Sequence, residues 1–420
     1  MKDRVVLHSD INNCYASIEC LHRPEIKNKP VAVCGDPDSR RGIVLAKNYI
    51  AKAAGIKTGE VIWQAKQKCP SLVVVPPNYL LYLRFSRLAR SIYSDYTNQI
   101  EPFGLDEAWL DITSNCRKGI DGTMIANEIR ERIKNELGVT VSIGVSFNKI
   151  FAKLGSDMKK PDATTTISRE NYKSTIWALP ASDLLYVGTS TRRKLANIGV
   201  YTIGDIAKLD AAFIRSYLGK WGSVLHDFAN GDDLSPVSVI DAESAIKSIG
   251  NSTTTPRDLV NNEDVRCIMY VLCESIAARM REHNFKCNIV QIYVRDNELY
   301  SFERQTKLPR ATYLASDIVK VAMDLFIKTY GWQKPIRSVG VRGCDLVSAD
   351  TNIQLSLLVD ESEIIKHEDL ENTIDSIRDR FGNQSIKRAL LIKDRPLGSI
   401  NPKDDHVIFP ISYFKGGPLP

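Results

Sequence analysis

No stretch of this 420-residue chain approaches the ~20 consecutive apolar side chains that a helix needs to cross a bilayer, so no membrane partner is expected. Its nine cysteines form no CxxC pair and no closely spaced Cys/His quartet, which argues against structural zinc and against a disulfide framework. Met1-Lys2-Asp3-Arg4 leads directly into a short apolar run without the core of a secretory signal. Reduced thiols in a cytoplasmic protein are the expectation. Net charge is also small: 56 basic and 50 acidic residues leave a formal +6. That balance permits a polyanionic partner without requiring one.

What is present is length and apolar content. At 43% hydrophobic, the chain exceeds the size at which one core usually stops growing, and two to four domains are expected. Val5-Val6-Leu7 reads as a core strand that delivers Asp10 to its mouth, just before the turn-forming pair Asn12-Asn13. Nearly a hundred residues later, "EPFGLDEAWLDIT" alternates Ala108, Leu110 and Ile112 toward a core. Glu107 and Asp111 fall on the opposite face, with Asp106 at the preceding bend. If the two strand ends lie side by side, Asp10, Asp106 and Glu107 form an oxygen-rich cluster whose mutual repulsion calls for a cation or a raised pKa. Magnesium suits such a set, and a pair of ions there would serve phosphoryl transfer. Read alone, the same strings also suit two Asx turns with solvated acids.

Anion-binding features tip the balance. "SIGVSFNKIFAKLGSDMKKP" changes from a strand to a helical pattern with Phe151 and Leu154 as core contacts. Lys149 and Lys153 share a face of that helix, and Lys160 follows beside Pro161, within reach of a triphosphate. "GIVLAKNYIAKAAGIKTGE" places Tyr49 near Lys52 ahead of Gly55 and Gly59. Any one of these lysines could simply solvate an amphipathic helix. Their combination with three candidate metal ligands is what makes a nucleotide site the stronger reading.

These stretches resemble the Y-family, or translesion, DNA polymerases, in particular the bacterial mutagenesis branch of UmuC/DinB type. The resemblance covers about residues 3–358 and rests on "DINNCYASIE", "NYIAKAAG", "GLDEAWLDI" and "SIGVSFNKIFAKLGSDMKKP", in that order. It implies an α+β multidomain fold, a right-hand polymerase with palm, small fingers, helical thumb and α+β little finger. Asp10, Asp106 and Glu107 then stand where the family binds two Mg2+ ions, with Mn2+ able to substitute, and the backbone carbonyl of Ile11 is a further ligand. Tyr15 falls at the steric gate that excludes a ribose 2′-OH, and Tyr49, Lys52 and Lys160 fall at triphosphate contacts. Many relatives carry arginine at the position of Lys52; lysine keeps the charge but loses the bidentate fork. Ile11, Asn13 and Cys14 also depart from the aromatic or apolar residues common in that opening motif.

The same resemblance partitions the chain into palm (1–19 and 78–166), fingers (20–77), thumb (167–233), linker (234–243), little finger (244–350) and a tail (351–420). In the thumb, the segments flanking Ile198-Gly199-Val200 read as a helix-hairpin-helix element, with Arg192, Arg193 and Lys194 adding salt-sensitive attraction to DNA. Helices at 262–283 and 311–330 and strands at 287–294 and 336–344 are expected in the little finger. Gln354, Leu355, Ser356, Leu357 and Leu358 resemble a bacterial sliding-clamp peptide, with leucine in place of the usual final aromatic. An amphipathic helix is expected over 361–381. The region beyond 393 is rich in proline, glycine and asparagine, and could take a regulatory protein, pack on the little finger or stay flexible. The expected partners are thus primer-template DNA and the clamp, and the expected location is the cytoplasm, at the nucleoid when engaged. The expected reaction is template-directed extension of a primer 3′-hydroxyl. A damage-site scaffold without catalysis and a two-metal nuclease are the competing classes.

Overall fold

The computed structural model describes residues 4–36, 40, 42–116, 121–240, 246–350 and 361–402. Its contacts separate a first compact unit, chiefly Met1–Gly35 with Gly42–Glu243, from a second made of Asp36–Arg41 and the chain from Ser244 to Phe409.

Among the described residues the first unit forms eight strands. They are β1 (Val6–Ile11), β2 (Val31–Cys34), β3 (Val44–Lys47), β4 (Val73–Val75), β5 (Ile100–Phe103), β6 (Glu107–Asp111), β7 (Val141–Ser146) and β8 (Thr164–Ile167). Five of them make the principal sheet in the order β5-β6-β1-β7-β8. β1 is buried along its whole length because it is paired on both edges, antiparallel to β6 and to β7. One face of this sheet carries Leu7, Ile11, Ala108, Leu110 and Ile112, which pack with Phe85 and Ala89 of the helix Tyr79–Ser94 and with Ile129 and Ile133 of the helix Gly122–Leu137. The alternation expected of Ala108, Leu110 and Ile112 is therefore the one observed, as strand geometry requires.

The opposite face is covered by the helix Lys149–Met158, capped by Asn148, whose side chain accepts from Phe151 N at 2.8 Å. This helix lies unusually close to β7. A Cβ added to Gly144 would stand 1.8 Å from the carbonyl oxygen of Ala152, and one added to Gly155 would stand 3.1 Å from Gly144 Cα. Two facing glycines thus let backbone meet backbone, which brings the polar side of the helix down onto the strand ends.

β3, β2 and β4 form a second, three-stranded sheet with the short helices Tyr49–Ala53 and Ile62–Lys68. Its core is small: Ala32, Val44, Ile56, Ile62 and Leu72 are among the residues that fill it. Beyond β8 the unit becomes helical. Thr189–Ala196, Ile203–Lys208, Ala211–Leu218 and Lys220–Asn230 enclose Leu195, Ile203, Ile214 and Leu225. Between the first two helices the chain reverses at Gly199, whose φ of +76° favours glycine. Thr202 and Asp205 then start the next helix as a capping box. The linker stretch is not loose along its length, since Val237 is buried against Val6 and Trp109.

The second unit has a four-stranded antiparallel sheet, β11-β10-β12-β9, built from β9 (Ser248–Leu259), β10 (Phe285–Asp296), β11 (Ser301–Thr312) and β12 (Ile336–Ser348). The helices Asn262–Glu282 and Ala315–Thr329 bury Leu272, Ile276, Ala322 and Phe326 in its core. The sequence reading located β10 and β12 but missed β9 and β11. β11 is an edge strand with half of its residues exposed, only two buried and a proline at 309, so apolar alternation does not reveal it. Its last two residues also replace the expected start of the helix at 311. The helix Glu361–Phe381 forms where one was expected. The chain after it belongs to this unit's core through Leu391 and Leu397, which resolves the fate of the tail as far as residue 402. The candidate clamp peptide, Gln354, Leu355, Ser356, Leu357 and Leu358, lies outside the described residues.

The glycine contact yields a stability prediction. G144A forces the helix off the sheet and is expected to cost about 3 kcal/mol, the upper end for overpacking, read as a lower denaturation midpoint at unchanged slope.

Candidate active site

The carboxylates that the sequence separates by about a hundred positions meet through strand pairing. Asp10 on β1 is the cross-strand partner of Glu107 on β6, and Ile11 N donates to Asp106 O at 3.0 Å. Directly opposed residues share a face, so Val6, His8 and Asp10 look the same way as Asp111, Trp109 and Glu107. The turn that carries Asp106 needs Gly104 at φ +79° and is held from behind by the helix Tyr79–Ser94. Ser86 Oγ donates to Leu105 O, and Arg90 Nη2 donates to Gly104 O at 3.2 Å. Neither Ser86 nor Arg90 was singled out from sequence; each looks like an ordinary residue of an amphipathic helix.

These acids are unequal. Burial, then repulsion from Glu107 and Asp106, raises the Asp10 carboxyl to about 7 despite the Lys160 ammonium beside it. Burial and Glu107 raise Asp106 to about 6. Burial also pushes Glu107 upward, but His8 and Lys153 more than reverse this and hold it at about 2. Lys160 Nζ donates to Asp10 Oδ2 at 2.6 Å and to Asp157 Oδ1 at 2.9 Å. Burial works against that ammonium, yet Asp10 and Asp157 raise its pKa above the ordinary lysine value. Lys153 Nζ donates to Glu107 Oε2, whereas Lys149 turns away to Glu101 at 2.6 Å and lies over the Trp109 ring.

Asn12 fixes the loop that presents Lys160. It is buried, its Nδ2 donates to Ser142 Oγ at 2.9 Å, and its Oδ1 accepts from Thr140 Oγ1 at 3.0 Å and from Asp162 N at 2.9 Å. Arg130 and Lys134 hold Asp162 from the other side at 2.8 and 2.9 Å. The sequence reading gave Asn12 to a turn, and its hub role is a tertiary fact.

A cavity of about 320 Å3 opens over the carboxylates, lined by Asp10, Ile11, Tyr15, Asp106, Glu107 and Lys160 together with Lys47 and Thr58. The ring of Tyr15 stacks on Tyr82 with centroids 4.3 Å apart, and the Tyr82 hydroxyl donates to Glu19 at 2.7 Å, so the wall is rigid. Tyr49 lies close enough to feel Lys160 and Asp10, with burial raising its phenol. Lys52 is exposed, its ammonium 5.7 Å from the centre of the Tyr49 ring, and does not line the cavity. Lys47, two residues before Tyr49, does line it and donates to Thr58 Oγ1 at 3.0 Å. Arg192, Arg193 and Lys194 are exposed on the helix Thr189–Ala196, ahead of the Gly199 turn.

Among the described residues, no three or more His, Cys, Asp or Glu are drawn into a ready-made chelate. The donor set nonetheless fits hard divalent cations. All its atoms are oxygens, and two carboxyls held at about 7 and about 6 mark a charge deficit that a cation relieves.

Paired strand ends bearing acids, faced by lysines and an aromatic wall, make a site of the nucleotidyltransferase class. Residues 9–157 match the impB/mucB/samB family, and residues 246–357 match the impB/mucB/samB family C-terminal domain. DNA polymerase IV of Acetivibrio thermocellus is 55% identical over 397 residues, covering 94% of this chain and all of that protein. DNA polymerase IV of Clostridium acetobutylicum is 35% identical across 93% of this chain and 98% of its own length. DNA polymerase IV 1 of Bacillus subtilis is 34% identical across 93% and 94%. A solved Y-family DNA polymerase chimera of Dbh and Dpo4 shares the fold, with a TM-score of 0.72 at 24% identity over 82% of this chain and 99% of that one. The chain belongs to the impB/mucB/samB family of Y-family DNA polymerases.

The unequal acids set a pH dependence. Asp10 and Asp106, raised in the folded state, contribute stability that is complete below the usual value of 3.8 and is lost as pH rises through about 6 and about 7. Glu107 contributes in the opposite sense, above 4.5, and loses it as pH falls toward about 2. Without divalent cations, D10N is therefore expected to gain several degrees in melting temperature relative to the parent between about pH 5 and about pH 8. A constant difference across that range would contradict the assignment.

Proposed function

We propose that the protein extends a DNA primer on a template, including past damaged bases, by attack of the primer 3′-hydroxyl on a deoxynucleoside triphosphate with release of pyrophosphate. The observation that supports this most directly is the pairing of Asp10 with Glu107, beside Asp106, under a cavity bounded by Tyr15 and Lys160. Y-family membership carries metal-dependent catalysis and binding of primer-template DNA. Two Mg2+ ions, or Mn2+ in their place, would be held by Asp10, the backbone carbonyl of Ile11, Asp106 and Glu107. There they would lower the pKa of the primer hydroxyl and offset phosphate charge.

The chain's own residues do the positioning. Tyr15, backed by Tyr82, gives a wall that a deoxyribose clears and a 2′-OH strikes. Lys160, paired with Asp10 in the nucleotide-free protein, is placed to transfer its charge to a triphosphate as cations neutralise the carboxylates. Tyr49 supports it from the fingers, and Lys52 serves by charge at the rim. Gly199 and the neighbouring Arg192, Arg193 and Lys194 would take template-primer phosphates through backbone N–H groups and salt-sensitive attraction. Residues 1–19 and 78–166 act as palm, 20–77 as fingers, 167–233 as thumb, 234–243 as linker and 244–350 as little finger. The small core of the three-stranded sheet suits loose enclosure of the nascent pair, which tolerates altered bases at the expense of discrimination.

Primer extension on undamaged and abasic templates tests this reading. D106A and E107A are expected to reduce incorporation to background while keeping primer-template affinity, and Y15A to raise ribonucleotide relative to deoxynucleotide insertion. Near-normal incorporation by folded D106A would reject the metal assignment, and tight binding with no extension by the parent protein would favour a scaffold.

Gln354, Leu355, Ser356, Leu357 and Leu358 would dock in the apolar groove of a sliding clamp, raising local concentration at the primer terminus. Replacing Gln354 and Leu357 by alanine is expected to abolish clamp-stimulated synthesis and leave clamp-independent synthesis intact. Equal stimulation of parent and variant would place the clamp contact elsewhere.

A further inference from the structure

Beneath Glu107 lies a hydrogen-bonding chain that the proposed chemistry does not itself use. His8 is fully buried on β1, two residues before Asp10. Its Nδ1 is 2.8 Å from Ser156 Oγ, and its Nε2 is 3.1 Å from Glu107 Oε2. The ring edge packs against Trp109, with centroids 5.1 Å apart at 61°. Ser156 comes from the helix that the Gly144–Gly155 contact presses onto the sheet.

Proton accounting selects one arrangement. A neutral imidazole carries a single N–H and a protonated one carries two, so only the neutral ring leaves a choice of tautomer. The Ser156 hydroxyl has one proton and two candidate acceptors, His8 Nδ1 and Lys153 O, each at 2.8 Å. If that proton goes to Lys153 O, Nδ1 must donate to Ser156, and a bare Nε2 lone pair then faces an anionic Glu107 oxygen at 3.1 Å. In a buried site that contact is repulsive. If Ser156 instead donates to Nδ1, an Nε2–H faces Glu107 Oε2 at 3.1 Å, a contact within ion-pair distance but too far off line to count as a formed hydrogen bond in this structure. Lys153 converges on the same oxygen, so both contacts occupy Oε2.

We propose that His8, oriented by Ser156, is a positioning residue that donates through Nε2–H to Glu107 Oε2, fixing the carboxylate so that its other oxygen is presented to a divalent cation. The inference rests on the metal-binding role proposed above for Glu107. Such supporting contacts to metal ligands are worth about 10- to 100-fold in affinity or activity.

The test exploits the two nitrogens. In H8Q the side-chain amide reaches the place of Nε2 and can donate to Glu107; in H8N it reaches only the place of Nδ1. The four proteins compared are the parent, H8Q, H8N and S156A. Two quantities are measured on the full chain with primer-template DNA: Mn2+ affinity by electron paramagnetic resonance with a non-reacting nucleotide, and kcat and KM for a deoxynucleotide. H8N is expected to weaken Mn2+ binding and lower kcat by about 10-fold or more, with KM for the nucleotide little changed. H8Q is expected to remain within about 3-fold of the parent. S156A, which frees the tautomer, is expected to fall between them. Thermal melting separates folding from positioning, since both His8 replacements remove the same ring. Equal Mn2+ affinity in H8Q and H8N, or a loss shared by both in proportion to their melting temperatures, would overturn the proposal. Parent protein that fails to extend a primer would instead count against the polymerase reading, so the two failures are distinguishable.

Discussion

The candidate site depends on holding three carboxylates together where two adjacent strands end. Repulsion among Asp10, Asp106 and Glu107, added to burial, opposes their ionisation, and backbone pairing supplies the restraint that keeps them there. The register that matches Asp10 with Glu107 also matches Leu7 with Leu110 and Val6 with Asp111. A slip by one residue would turn Leu7 and Leu110 out of the core at the same time as it turned the acids away from the cavity. The apolar face is therefore what pins the polar one, and the geometry of the candidate site inherits its precision from hydrophobic packing.

Charge compensation comes from the opposite direction, through helix placement. Lys153 and Lys160 reach Glu107 and Asp10 because the helix Lys149–Met158 and the turn after it sit low on the sheet. That approach is permitted by Gly144 and Gly155 and secured by Asn148 at one end and Asn12 near the other. Lysine is well suited to this duty. Its single mobile ammonium can satisfy a carboxylate without the fixed fork geometry that an arginine would impose.

Much of this was legible in the sequence, for a physical reason. A strand buried on one face reveals its register through period-two alternation, so the positions of Asp106 and Glu107 relative to Ala108, Leu110 and Ile112 could be read directly. A lysine next to proline after a helical run could likewise be placed at a helix end. Contacts made by ordinary residue types across the fold were not legible. Ser86, Arg90, Asn12 and Ser156 carry no local pattern that distinguishes a partnered side chain from a solvated one. His8 sits in plain view two residues before Asp10, but its strand alone gives no sign of Ser156 some 148 positions away. The exposed edge strand β11 was missed for the complementary reason: without a buried face, alternation has nothing to report.

The inequality among the acids follows from which of them the lysine helix can reach. Glu107 has a longer side chain and lies over the first turns of that helix, so it gains both Lys153 and His8 and stays ionised. Asp106 sits on the turn, short and inward, where burial and Glu107 act on it more strongly than distant cations do. Asp10 has Lys160, yet it is the member flanked by both other acids, and one ammonium does not offset two carboxylates together with the loss of water. The site thus keeps one fixed negative charge and two carboxyls poised near neutrality. If Asp10 and Asp106 hold divalent cations as proposed, that binding would be coupled to loss of their protons.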